Sequence, residues 1–157
     1  MVKIVVRVGK DFSRVIRSRL GVKQGCTISP RLFSLYINDF EEYLNGRGAP
    51  KIKLSSASVM ALLFEDDIVL VAEIKEHLQQ LLDLVSFYFR NKKLVLNMQK
   101  SVVMVLRKCG EQIDSLCLFM YEGRTLDYID EFQYLGCRVS LDGKWKKHLK
   151  IVESKGK

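Results

Sequence analysis

Leu62-Leu63-Phe64-Glu65-Asp66-Asp67-Ile68-Val69-Leu70 is the stretch on which the reading of this chain turns. Two short apolar runs, Val59 to Phe64 and Ile68 to Ala72, are separated only by three consecutive carboxylates. That pattern predicts a tight hairpin with acids at its tip. The arms are apolar on consecutive residues rather than alternate ones, so both of their faces are expected to be covered. Like charges this close resist ionising together unless a cation neutralises them. Mg²⁺ is the natural counterpart, because it is commonly held by one or two carboxylates plus substrate phosphates. Asp also favours turns for purely local reasons, so the tip needs support from the rest of the chain.

Upstream of the hairpin, Ser29-Pro30 marks a helix start, with Ser29 as the expected N-cap and Pro30 at the first helical position. Leu32, Phe33, Tyr36, Ile37, Phe40, Tyr43 and Leu44 then recur at helical spacing until Asn45-Gly46-Arg47-Gly48-Ala49-Pro50 ends the run. Earlier still, Val2, Ile4, Val6 and Val8 alternate, Gly9-Lys10-Asp11 turns the chain, and Phe12 to Leu20 follows as a second alternating run. These residues predict an antiparallel hairpin. Downstream, Leu78, Leu81, Leu82, Val85 and Phe89 define an amphipathic helix over roughly 74–90. Val102 to Leu106, Leu116 to Tyr121 and Phe132 to Val139 are expected as strands, with turns at Cys109-Gly110, Glu122-Gly123 and Asp142-Gly143. The order ββ-α-ββ-α-βββ indicates an α+β fold, an antiparallel sheet with its two main helices packed on one face.

Composition narrows the classes. The chain has 157 residues, is 48% hydrophobic and contains only two prolines, which suits one domain with a core rather than a disordered segment. Its longest uncharged stretch, Leu54 to Phe64, is eleven residues, against about twenty for a membrane helix. The N-terminus alternates and carries charge, unlike a signal or transit peptide. Cys26, Cys109, Cys117 and Cys137 form no close pair and sit in apolar segments, so they are read as small core residues in a reducing, intracellular setting. Net charge is +8, but unevenly spread: residues 1–31 carry +7, residues 32–137 carry −4, and residues 138–157 carry +5. Basic ends around an acidic middle suit a chain that grips a polyanion at its ends.

One string is far more specific than the others: Gly21-Val22-Lys23-Gln24-Gly25-Cys26-Thr27-Ile28-Ser29-Pro30-Arg31-Leu32-Phe33, followed 31 residues later by Phe64-Glu65-Asp66-Asp67. Together they resemble the palm of a reverse transcriptase, an RNA-directed DNA polymerase, of the branch found in non-LTR retrotransposons and group II introns. Leu94 to Lys100 resembles that family's leucine–asparagine–lysine element, Phe132-Gln133-Tyr134-Leu135-Gly136 its primer grip, and Asp142-Gly143-Lys144-Trp145 the segment beyond it. The resemblance implies a palm domain over 1–149 and a basic tail over 150–157.

Residue by residue, the resemblance implies that Asp66 ligates metal, with Asp67 as a weaker neighbour, in two-metal nucleotidyl transfer. It places Gln24 and Gly25 against the template and incoming deoxynucleotide, where glycine lets backbone approach a ligand. Lys100 falls near the nucleotide phosphates, and Tyr134, Leu135 and Gly136 support the primer terminus. Arg14, Arg17, Arg19, Lys23, Lys144, Lys146, Lys147 and Lys150 are expected to contact nucleic-acid backbone. The sequence departs from the family twice. Glu65 precedes the aspartates where a small alanine is usual, and the first catalytic carboxylate has no counterpart, since Asp11 is the sole carboxylate before Gln24. A chain without that group is expected to be inactive alone, and to meet a partner chain or itself through the sheet edge left unpaired. A non-catalytic nucleic-acid-binding module and a retroelement relic are the alternative readings.

Overall fold

The computed structural model describes residues 2–18, 21–22, 25–106 and 117–144. The N-terminal run is one long hairpin in two ladders: β1 (Val2–Ile4) pairs antiparallel with β4 (Ile16–Ser18), and β2 (Arg7–Val8) with β3 (Asp11–Phe12). Ile4 faces Ile16 whereas Arg7 faces Phe12. Two residues on one arm therefore oppose three on the other, a bulge. Ser13 closes it, donating its backbone N–H to the Val6 carbonyl at 2.8 Å while its hydroxyl accepts from the Val6 N–H at 2.9 Å.

The helix expected from Ser29 onward is broken in two, α1 (Ser29–Tyr36) and α2 (Phe40–Gly46). Ser29 is already inside α1, whose cap position is Ile28 without a side-chain hydrogen bond. The break at Ile37–Asp39 has a physical cause. The Asp39 carboxylate, in position to cap α2, is instead drawn to the third helix: Tyr88 donates to Oδ1 at 2.7 Å and Lys92 to Oδ2 at 2.8 Å. A short hairpin that the apolar runs did not signal follows, β5 (Ile52–Leu54) with β6 (Ala57–Val59), and takes Val59 from the run expected over Val59 to Phe64.

The acidic hairpin forms as expected: β7 (Ala61–Phe64) pairs with β8 (Asp67–Leu70), Phe64 opposite Asp67. Its arms are not covered on both faces. Ile68 and Leu70 lean on the core, but Leu62, Leu63 and Phe64 are exposed, because among the described residues no third strand pairs with this ladder.

α3 (Lys75–Lys92) is the spine. Leu81, Leu82, Val85, Tyr88 and Phe89 recur on one face and are buried. Arg90 and Lys92 in its last turn complement the helix dipole, and Lys93 ends it in the left-handed region (φ 54°). Beyond it, Leu94, Leu96 and Met98 pack on the core while Val95 is exposed, the period of an extended chain with one buried side.

The C-terminal third adds β9 (Val102–Val103), β10 (Met120–Tyr121), β11 (Arg124–Thr125), β12 (Asp127–Tyr128), β13 (Glu131–Tyr134) and β14 (Cys137–Ser140). β10–β11 and β13–β14 are hairpins, and β12 runs parallel to β9. The expected strand Phe132 to Val139 is thus a hairpin turning at Leu135-Gly136. The turn expected at Cys109-Gly110 lies outside the described residues. The α+β class holds, with three helices and strands in two-stranded ladders among the described residues. The core gathers α2, α3, Met60, Val103, Phe119, Tyr121 and Leu126. Of the cysteines, Cys26 and Cys117 are half-buried and Cys137 is exposed, so the core reading does not hold for Cys137.

Candidate functional site

The tip of β7–β8 is a two-residue turn of Glu65 and Asp66, with Asp67 the first residue of the returning strand. Glu65 adopts φ 51°, a left-handed conformation that a side chain other than glycine or asparagine enters at a cost. The bulky acid that departs from the family pattern therefore also carries the strained position of the turn. All three carboxylates are exposed. Among the described residues, no three His, Cys, Asp or Glu side chains come together as a metal-binding group. Two aspartates fit the protein's share of one Mg²⁺ shell.

The β13–β14 tip repeats the pattern. Leu135 (φ 49°) and Gly136 (φ 83°) form its turn, and Leu135 is a bulky residue in a region usually left to glycine or asparagine. Tyr134 is half-buried beside it. An ion pair between Arg138 and Glu131 (3.2 Å) braces the arms, and the Leu141 N–H donates to the Asp130 carbonyl at 3.0 Å. At the turn beyond, Asp142 Oδ1 accepts from the Ser140 hydroxyl (2.7 Å) and the Lys144 N–H (3.1 Å), as expected for Asp-Gly.

Lys100 is exposed on a turn organised by the Asn97 carbonyl, which accepts from the Lys100 and Ser101 N–H groups at 3.1 and 3.0 Å. Gly25 is exposed with φ 77°; a Cβ there would meet nothing within 4 Å, so conformation rather than crowding selects glycine. Arg14 and Arg17 are exposed on the N-terminal hairpin. Gln24, Arg19, Lys23, Lys146, Lys147 and Lys150 lie outside the described residues, as does Trp145.

Sequence reasoning missed the contacts that seat these pieces. Gln79 of α3 pairs its side-chain amide with the Met120 backbone, accepting from its N–H at 3.0 Å and donating to its carbonyl at 2.9 Å. Asp83, one turn on, accepts from the same amide nitrogen at 2.9 Å. Further along, Ser86 and Arg90 both donate to Glu122 Oε1, at 3.2 and 2.8 Å. The Arg90 guanidinium, then Ser86, hold the Glu122 carboxyl below its usual range. Lys92 and then Tyr88 do the same for Asp39, while burial and Asp39 push the Tyr88 hydroxyl well above the tyrosine range. The polar positions 79, 83, 86 and 90 at helical spacing were the available signal.

The chain matches the family model described as reverse transcriptase (RNA-dependent DNA polymerase) over residues 2–139. It belongs to the reverse transcriptase family. Its relatives specify the non-LTR type. It is 28% identical over 141 residues to a retrovirus-related Pol polyprotein from type-1 retrotransposable element R2 of Popillia japonica, covering 87% of this chain and 23% of the relative. A second Popillia japonica relative of that description is 30% identical, covering 90% and 21%. The Pol polyprotein from type-2 retrotransposable element R2DM of Drosophila melanogaster is 32% identical over 130 residues, covering 79% and 12%. The chain therefore spans between an eighth and a quarter of the length of these relatives. No solved structure matches it significantly.

Proposed function

We propose that this reverse transcriptase-derived chain is a partial palm domain over 1–149, with a basic tail over 150–157, that binds nucleic acid and does not polymerise DNA by itself. The observation that carries the reading is the tip of β7–β8. Asp66 and Asp67 stand at the hairpin tip beside Glu65, yet among the described residues they form no metal-binding group of three with it or with any other Asp, Glu, His or Cys. Two-metal transfer depends on ions fixed at a set separation, and two adjacent aspartates do not fix it. Where Mg²⁺ is bound, Asp66 and Asp67 are its ligands in this reading, and the metal's contribution is charge neutralisation at phosphate.

The substrates in this reading are an RNA or DNA template-primer and deoxynucleoside triphosphates, which place the chain inside the cell. Gln24, Gly25 and Lys100 face template and nucleotide. Tyr134, Leu135 and Gly136 form the primer grip, and their strained turn is the kind of backbone that concentrates at working sites. Arg14, Arg17, Arg19, Lys23, Lys144, Lys146, Lys147 and Lys150 hold backbone phosphates. The edge of β7–β8 that no strand of the described residues pairs with is where another strand, with a further carboxylate, would complete the site. No helix of the described residues is long and apolar enough to cross a membrane.

Two measurements test this reading. With Mg²⁺, a primed RNA template and deoxynucleotides, the purified chain gives no extension; extension abolished by Asp66→Ala would refute the inactive assignment. Binding to single-stranded RNA falls with salt and ignores Asp66→Ala. Replacing Arg14 and Arg17 together by Gln flattens the log–log salt slope by about 1.4, at about 0.7 per lost phosphate contact. An unchanged slope would remove those two arginines from the interface.

A further inference from the structure

The N-terminal hairpin is almost wholly in solvent on both faces. Val6, Val8, Phe12, Val15 and Ile16 are 50–74% exposed, well beyond the isolated apolar residue that any surface tolerates. The same element carries Lys3, Arg7, Lys10, Arg14 and Arg17 against Asp11 alone. The β7–β8 hairpin has the opposite character. Its tip carries Glu65, Asp66 and Asp67 with no basic residue between Ala61 and Leu70, and Leu62, Leu63 and Phe64 beside the tip are 43–48% exposed. None of the three ion pairs among the described residues involves either hairpin. One surface is apolar and cationic, the other apolar and anionic, and on each several aliphatic side chains stand in water.

We propose that the N-terminal hairpin of one copy docks on the β7–β8 hairpin of a second copy, reciprocally, to form a two-fold dimer of this chain. Charge complementarity selects the partner and aliphatic burial holds it. A nucleic acid would satisfy the arginines of the N-terminal hairpin but offers no aliphatic surface for Val8, Val15 and Ile16, whereas the Leu62–Leu63 arm does. Reciprocity matters because a single head-to-tail contact would propagate into open chains, while a two-fold pair closes and doubles the covered area toward that of a stable interface. The inference goes beyond the catalytic and nucleic-acid reading: at Arg14, Arg17 and Asp66 the dimer and a nucleic-acid complex are alternative states of the chain, and the dimer stands if the chain binds no RNA.

The test is sedimentation velocity on the full chain from about 1 to about 100 µM, the range in which a standard interface of modest quality dissociates. A monomer–dimer equilibrium is expected, weakened as salt rises from about 0.1 to about 1 M and the screening length falls from about 10 to about 3 Å. Arg14→Glu with Arg17→Glu, and separately Glu65→Lys with Asp66→Lys, each weaken the dimer at least tenfold. Mixing the two variants restores a one-to-one pair, an outcome that a misfolded variant cannot produce. The milder Arg14→Gln with Arg17→Gln weakens it in the same direction by a smaller factor. A monomer at every concentration, a dimer indifferent to both reversals, open-ended polymers, or a mixture that fails to pair overturns the proposal. A strictly monomeric chain that binds RNA through the hairpin would assign that surface to nucleic acid alone and overturn it too.

Discussion

Replacing Tyr88 by alanine removes the side chain around which the helical core is built. Tyr88 is 1% exposed and touches three other rings: Phe40 edge-on at 5.0 Å, Tyr43 at 4.9 Å and Phe89 at 6.4 Å between centroids. Its hydroxyl also donates to Asp39 at the α1–α2 break. Truncating a buried aromatic costs about 3–5 kcal/mol, a large share of the ~5–15 kcal/mol that holds an ordinary domain folded. Tyr88→Phe keeps the ring contacts and loses the hydroxyl alone. Because Asp39 retains Lys92 and faces water, that change costs about 1 kcal/mol, the net worth of one hydrogen bond. Urea denaturation followed by circular dichroism gives both values from the shift in midpoint at constant slope. The alanine variant is expected to lose several times more than the phenylalanine variant. Equal losses would mean that the hydroxyl, not the ring, is the anchor, and would refute the account of the core given above.

Three further outcomes follow from local geometry. Asp39 and Glu122 are held below their usual carboxylate ranges by Lys92 and Arg90, so their stabilising effect is present above pH of about 4 and lost as pH falls through the folded-state values. Denaturation midpoints should therefore drop on acidification below pH of about 4, and less steeply in Asp39→Asn; an identical acid limb in that variant would refute the linkage. Tyr88 shifts the other way, so stability should also fall above pH of about 10, where an unfolded tyrosine ionises and the buried one keeps its proton. At the β13–β14 tip, Gly136→Ala places a Cβ at φ 83° and costs roughly 1 kcal/mol or more, while Leu135→Asn relieves φ 49° and is neutral to stabilising. A stabilising Gly136→Ala would show that the turn does not hold that conformation.

Much of the fold was legible because it is written in local patterns. The buried stripe of α3 follows its 3.6-residue spacing, with the helix observed over Lys75–Lys92 against the expected 74–90. The acid-tipped hairpin, the Glu122-Gly123 turn and the Asp142-Gly143 turn each follow from residues with strong local preferences. The Leu135-Gly136 turn escaped the periodicity, which ran one strand from Phe132 to Val139, because leucine in a left-handed position carries no sequence signal; only the resemblance, with Tyr134-Leu135-Gly136 as the turn under the primer terminus, implied it. The break between α1 and α2 was equally hidden, since Asp39 interrupts the helix through partners 49 and 53 residues away.

Family membership, the α+β class and the identity of the candidate site residues were determined by the sequence alone, because each rests on residue types at short, fixed spacing. Packing decided the rest: that Leu62, Leu63 and Phe64 face solvent, that the Gln79 side chain takes the backbone N–H and carbonyl of Met120, and that Glu65, Asp66 and Asp67 form no metal-binding group of three among the described residues. Convergence of side chains distant along the chain depends on how elements pack in three dimensions, and no local pattern of residues encodes it.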